Sequence, residues 1–160
     1  MVEFQIGPAL VAGFVGTIAM TAVMMMGRAR GMTSMDMPLM IGGMLTGDES
    51  KARRLGMIVH VLMMGSVVFG TVYGLLFTAL DSDAALTGLV IGVVHGLVFG
   101  LMVLPMMPAL HPRMKVSANG FHLEKPGMLG VSYGKGTGVG IVMAHAVYGL
   151  VVALVYAGLT

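Results

Sequence analysis

AALTGLVIGVVHGLVFGLMVL, residues 84–104, decides the fold. The stretch carries no charged side chain and is as long as the ~20 residues that cross ~30 Å of hydrocarbon as a helix, with a break expected at Pro105 and Pro108. Four glycines, Gly88, Gly92, Gly96 and Gly100, recur every fourth residue along it. That spacing puts a stripe without side chains along one face, where a neighbouring helix backbone can approach closely. The stripe either packs inside one bundle or joins two copies of the chain.

Working outward, the same reading applies three more times. Apolar runs cover residues 6–27, 55–80 and 138–159. The chain is 57% hydrophobic and only 10% charged, against about 25% charged in a soluble domain. A closed barrel would need alternating strands of about ten residues, and none is present. The expected fold is therefore all-α: an integral membrane four-helix bundle forming one domain over residues 1–160. Its first partner is the lipid bilayer.

Charge orients the spans. All nine Lys and Arg residues fall in two segments. Arg28, Arg30, Lys51, Arg53 and Arg54 lie between spans one and two; Arg113, Lys115, Lys125 and Lys135 lie between spans three and four. Basic residues resist translocation, so both segments are expected to be cytoplasmic. The turn Asp81-Ser82-Asp83 has no basic residue and belongs outside. Four spans then place both termini outside, in the cytoplasmic membrane. Basic residues beside membrane spans are no nucleic-acid signal. The N-terminal MVEFQIGPAL has no basic leader and reads as a mature first span rather than a cleaved signal peptide. The chain has no cysteine, which removes disulfides and thiolate ligands.

The first basic loop holds a further element. Asp36 suits an N-cap and Pro38 a first helical turn. Leu39, Met40, Ile41, Met44 and Leu45 follow, and Gly47 can end the turn. A short helix over residues 37–46 is expected at the membrane interface. The second loop, HPRMKVSANGFHLEKPGMLGVSYGKG from His111, is rich in glycine and turn residues and is expected to order beneath the bundle. Gly56-x-x-x-His60 and the Gly140 to His145 segment resemble each other, which raises a two-plus-two repeat of the spans.

Chemistry is concentrated in histidine and methionine. His60, His95 and His145 lie within spans, where ionisable groups are costly. At ~1.5 Å per residue, His60 and His145 sit roughly 8–11 Å inside the cytoplasmic edge on helices running the same way. His95 lies near mid-membrane beside the glycine stripe. Every methionine except Met1 falls in the basic loops or the adjoining halves of the spans. Met64 is close to His60 in sequence and Met143 to His145. Thioether with imidazole suits copper as Cu(I), and paired imidazoles suit haem b. The bland account makes methionine a core filler and lets each histidine bond a carbonyl or hydroxyl across helices. His111 and His122 are loop residues expected at the interface. No nucleophile motif, phosphate loop or paired intramembrane carboxylate is present.

Asp36-Met-Pro-Leu-Met-Ile-Gly42, the His60 entry of span two and Leu104-Pro-Met-Met-Pro-Ala-Leu-His-Pro-Arg113 together resemble a family of small four-span membrane proteins of archaea and bacteria with no assigned function. Glu124-Lys-Pro-Gly127 and His145-Ala-Val-Tyr-Gly149 complete the likeness. The resemblance implies a compact four-helix membrane fold and brings no catalytic residues. Three functions stay open. The first is a non-enzymatic accessory or assembly subunit of a membrane complex. The second is a haem- or copper-binding protein using His60, His95, His145, Met64 and Met143. The third is a small-solute or ion transporter working as a homo-oligomer.

Overall fold

The computed structural model describes residues 1–115 and 119–160. Among them there are helices and no strands. Four helices are long and apolar enough to cross a membrane: α1 (Ile6–Ala29), α3 (Glu49–Leu80), α4 (Ala85–Leu110) and α5 (Thr137–Leu159). A short helix α2 (Met37–Gly43) sits between α1 and α3. The fold is the expected all-α membrane bundle. Large apolar side chains such as Val11, Ile18, Leu62, Leu75, Val90 and Leu154 face outward, as lipid-facing positions should.

Two spans are longer than their apolar runs. Helix α3 begins at Glu49 because Asp48 caps it, accepting a hydrogen bond from the Lys51 N–H at 3.0 Å. That bond, with one from the Ser50 hydroxyl, holds the Asp48 carboxyl below the usual carboxylate range. The added turn carries Glu49, Lys51, Arg53 and Arg54 and extends past the apolar segment. Helix α4 was expected to break at Pro105 and Pro108 but runs to Leu110. The reason lies one turn earlier. Residues Phe99–Val103 are π-helical, and the Leu104 N–H bonds the Phe99 carbonyl five residues back. Proline disrupts an α-helix because it lacks an N–H and presses on the carbonyl four residues before it. A locally widened turn relieves that constraint.

The spans do not pack as a symmetrical ring. Helix α5 is central and packs along both α1 and α4, while α3 packs along α1. The order around the bundle is therefore α3, α1, α5, α4. Consecutive helices α3 and α4 do not pack backbone against backbone. The glycine stripe explains the α4–α5 contact. A Cβ at Gly88 would strike the Gly149 carbonyl, and one at Gly149 would strike the Gly88 carbonyl. A Cβ at Gly92 would meet Ala146 Cα at 2.9 Å, and one at Gly96 would meet Val142 Cα at 2.9 Å. Gly100 lies under Leu129 of the second basic loop. These four glycines are thus used within one bundle. The proposed repeat is not reflected in packing: Gly56 abuts the Pro38 carbonyl, whereas Gly140 has nothing within 4 Å of its would-be Cβ.

The basic-loop end forms a floor. Asp36 caps α2 by accepting from the Leu39 N–H at 3.0 Å. The same carboxylate pairs with Arg28 at 2.8 Å and with Arg53, so one side chain ties α1, α2 and α3 together. Helix α2 ends at Gly43, earlier than the expected residue 46. Gly42 presses on Ala52 and Gly56 on Pro38, which seats α2 on α3. His111 is also corrected. It is fully buried rather than interfacial. Its Nε2 donates to the Met40 carbonyl at 2.7 Å and its Nδ1 accepts from the Arg113 N–H at 3.1 Å, pinning α2 to the end of α4. His122 is exposed.

The described part of the second loop is ordered beneath the spans, as expected; residues 116–118 lie outside the described residues. Tyr133 donates to the Glu124 carbonyl at 2.7 Å, and burial, then the Glu124 charge, pushes its hydroxyl up to about 12. Thr137 at the start of α5 donates to Thr33 at 2.8 Å.

Candidate functional site

A cavity of about 260 Å³ opens inside the bundle, toward its basic-loop half. Its position follows from the helix order. Where α3 and α4 fail to pack backbone to backbone, side chains span the gap. Phe69 on α3 lies 4.2 Å, ring centroid to centroid, from His95 on α4, and the Tyr73 hydroxyl is 3.2 Å from His95 Nδ1. Below them the gap widens into the cavity, and Met37, Ile41 and Met44 of the α2 region close its floor.

All three histidines singled out in the spans, His60, His95 and His145, line this one cavity. Six methionines line it too: Met20, Met24, Met37, Met44, Met64 and Met107. Met64 was anticipated. Met143 was not placed correctly by sequence proximity: it is 47% exposed and lines a separate, smaller hollow against α1. On an α-helix, residues two apart such as Met143 and His145 point about 200° apart, so neighbours in sequence face different ways. The remaining five methionines were missed as a set, because they come from α1, α2 and α4 and only the folded bundle brings them together.

The π-helical stretch of α3, Val59–Gly70, is what turns its residues inward. His60, Met64, Gly65 and Phe69 all line the cavity. Nine residues make ~2.5 turns of an α-helix, which would put Phe69 opposite His60. With i→i+5 bonding the turn widens, and nine residues make about two turns. Tyr148 of α5 donates to the Gly65 carbonyl within this stretch at 2.8 Å, and Ser66 donates to the Leu10 carbonyl at 2.7 Å. Neighbouring helices thus support the widened segment.

The donor atoms differ in their commitments. His145 Nδ1 donates to the Ile141 carbonyl at 2.8 Å, which leaves a lone pair on Nε2. A ligating histidine is commonly held this way, its other nitrogen bonded to a carbonyl. His60 is 6% exposed, and its Nε2 is buried without a hydrogen-bond partner. A buried polar atom left unpaired costs ~1–3 kcal/mol, so this atom calls for a ligand. His95 and His145 meet edge to face with centroids 4.6 Å apart. Two imidazoles on opposite sides of one metal need centroids about 6 Å apart, given bonds of ~2 Å. These two rings therefore do not form a trans pair about a haem iron.

Among the described residues, no three His, Asp or Glu side chains converge as a metal site by themselves. The other soft donors of the lining are its thioethers, and thioether with imidazole favours soft Cu(I) over Zn²⁺, Mg²⁺ or Ca²⁺. Ligand pockets run to roughly 300–1,000 Å³, so a cavity of about 260 Å³ is small for a porphyrin and ample for an ion with several side-chain ligands.

Fold and cavity together define a class: a membrane-spanning four-helix bundle with an internal chamber of histidine and methionine. No family model, curated protein or solved structure matches the chain.

Proposed function

We propose that this chain is a non-enzymatic membrane protein that binds Cu(I) within its bundle, an accessory that holds or hands on the ion. The observation that carries this reading is the convergence of His60, His95 and His145 with six methionines on one cavity. The lining has no carboxylate, lysine or serine. Thr17 also lines it, with its hydroxyl committed to the Gly13 carbonyl at 2.7 Å. That composition supports binding over turnover. His145 Nε2 and His60 Nε2 are the imidazole ligands, with Met64 and neighbouring thioethers completing the set. Haem b, the other cofactor considered, is disfavoured by volume. The likeness to small four-span proteins of archaea and bacteria is part of the same proposal. The test is titration of the detergent-purified protein with Cu(I) against a coloured chelator. One tightly held Cu(I) per chain is expected. Failure to compete at all, or a Soret band in the protein as isolated, would end this reading.

The orientation is proposed on charge. Both basic loops lie at the cavity's end of the bundle, and the positive-inside rule puts that end in the cytoplasm. The termini are then outside the cytoplasmic membrane. Tags at either terminus should be cut by protease added to intact spheroplasts; protection of either tag would reverse the assignment.

A further inference from the structure

A second chamber of about 190 Å³ adjoins the first at the basic-loop end. Met24, Met37 and His60 line both chambers, so the two share a wall. The outer chamber adds Met25 and Met57, which are exposed. Arg28, Asp36 and Arg53 also line it, joined by the Asp36 ion pairs. Two buried polar atoms without hydrogen-bond partners, Thr21 Oγ1 and His60 Nε2, belong to residues lining this chamber. The outer wall thus offers exposed thioethers, the shared wall offers two thioethers and an unpartnered imidazole, and the inner cavity offers the remaining ligands.

We infer that the outer chamber is the ion's entry port, a transfer site distinct from the storage cavity. This inference rests on the Cu(I) reading above. Cu(I) binds first to Met25 and Met57, moves to Met24, Met37 and His60, and then reaches Met64 and His145. Each move is ligand exchange: one coordination bond forms as another breaks, the ion stays Cu(I), and no proton or electron is transferred. Asp36 fixes the port by capping α2 at Met37 while holding Arg28 and Arg53. The two guanidiniums suit an anionic donor complex, in which thiolates or carboxylates carry the Cu(I).

The test compares rate with capacity. Met→Leu is nearly volume-conserving and usually costs under ~1.5 kcal/mol, so Met25→Leu/Met57→Leu should fold, with the thermal melt as a check. Cu(I) supplied as its anionic bicinchoninate complex should load this variant about tenfold more slowly than wild type, as loss of supporting ligands typically costs 10–100-fold. Final stoichiometry and affinity should be unchanged. Met106→Leu/Met143→Leu, which lie outside both chambers, should load at the wild-type rate. Should the double variant melt early, the single variants carry the same rate test. Wild-type loading by the Met25/Met57 variants would overturn the port while leaving the storage site intact. Reduced stoichiometry would also overturn it, by making these residues storage ligands. If wild type takes up no Cu(I), storage site and port both fail.

Discussion

Gly96→Leu should lower the melting temperature in detergent by about 2–12 °C. The Cβ alone would approach Val142 Cα to 2.9 Å and His145 Cβ to 3.1 Å, and leucine adds three more carbons. Backbone cannot rotate aside as a side chain can, so α4 must move off α5. Overpacking costs typically ~1–3 kcal/mol, and in a chain of this length each kcal/mol shifts the melt by about 2–4 °C. Gly140→Leu is the matched control. It lies on α5, where a Cβ would find nothing within 4 Å. Leucine ranks just below alanine, which is ~0.8–1 kcal/mol better than glycine in a helix interior, so this variant should melt at or above wild type. Equal melts for the two variants would mean that the stripe is not a close contact.

His145→Ala should weaken Cu(I) binding far more than it lowers the melt. The Nδ1 bond is to Ile141 on the same helix, four residues back, so its loss breaks no hydrogen bond between helices, and only the ring contacts with His95 and Phe99 are given up. Loss of the Nε2 lone pair, by contrast, removes an imidazole ligand that the thioethers cannot replace. Affinity should fall by 10–100-fold or more. His60→Ala should act in the same direction. Met143→Leu should leave affinity unchanged, because that side chain lies outside the cavity. His111→Ala should show the reverse pattern: Cu(I) retained and the melt lowered. It strands the fully buried Met40 carbonyl and the part-buried Arg113 N–H, at ~1–3 kcal/mol for the buried group. If His145→Ala binds as wild type does, imidazole is not a ligand and the site reading falls.

Some features are local enough to be legible in one dimension. Asp36 was readable as a cap because capping needs only a side-chain oxygen three residues from an N–H. Its second role, bridging Arg28 and Arg53, was not, since those partners meet only when α1, α2 and α3 pack. His111 shows the same limit. A histidine between prolines at a span's end looks interfacial, and only α2 folding over it makes it buried. The prolines of α4 misled for a different reason: the rule that proline stops a helix assumes α-helical turns, and here the turn before Pro105 is already widened.

The sequence by itself determined the solvent, the number of spans and the class of chemistry. Length and apolarity act along the chain: a charge-free run of some 20 residues needs no partner to require a bilayer. Lack of acidic residues and cysteine in the spans left imidazole and thioether as their distinctive donor groups. Tertiary structure decided where those groups meet. Contact along α4 and α5, set by glycines that admit a carbonyl where a side chain would stand, draws α4 away from α3. The π-helical stretch Val59–Gly70 then turns His60, Met64 and Phe69 to one face. The glycine stripe is periodic in the sequence, but which helix it meets, and how wide the α3 turn becomes, depend on what the neighbouring helices offer, and so the cavity exists only in the assembled bundle.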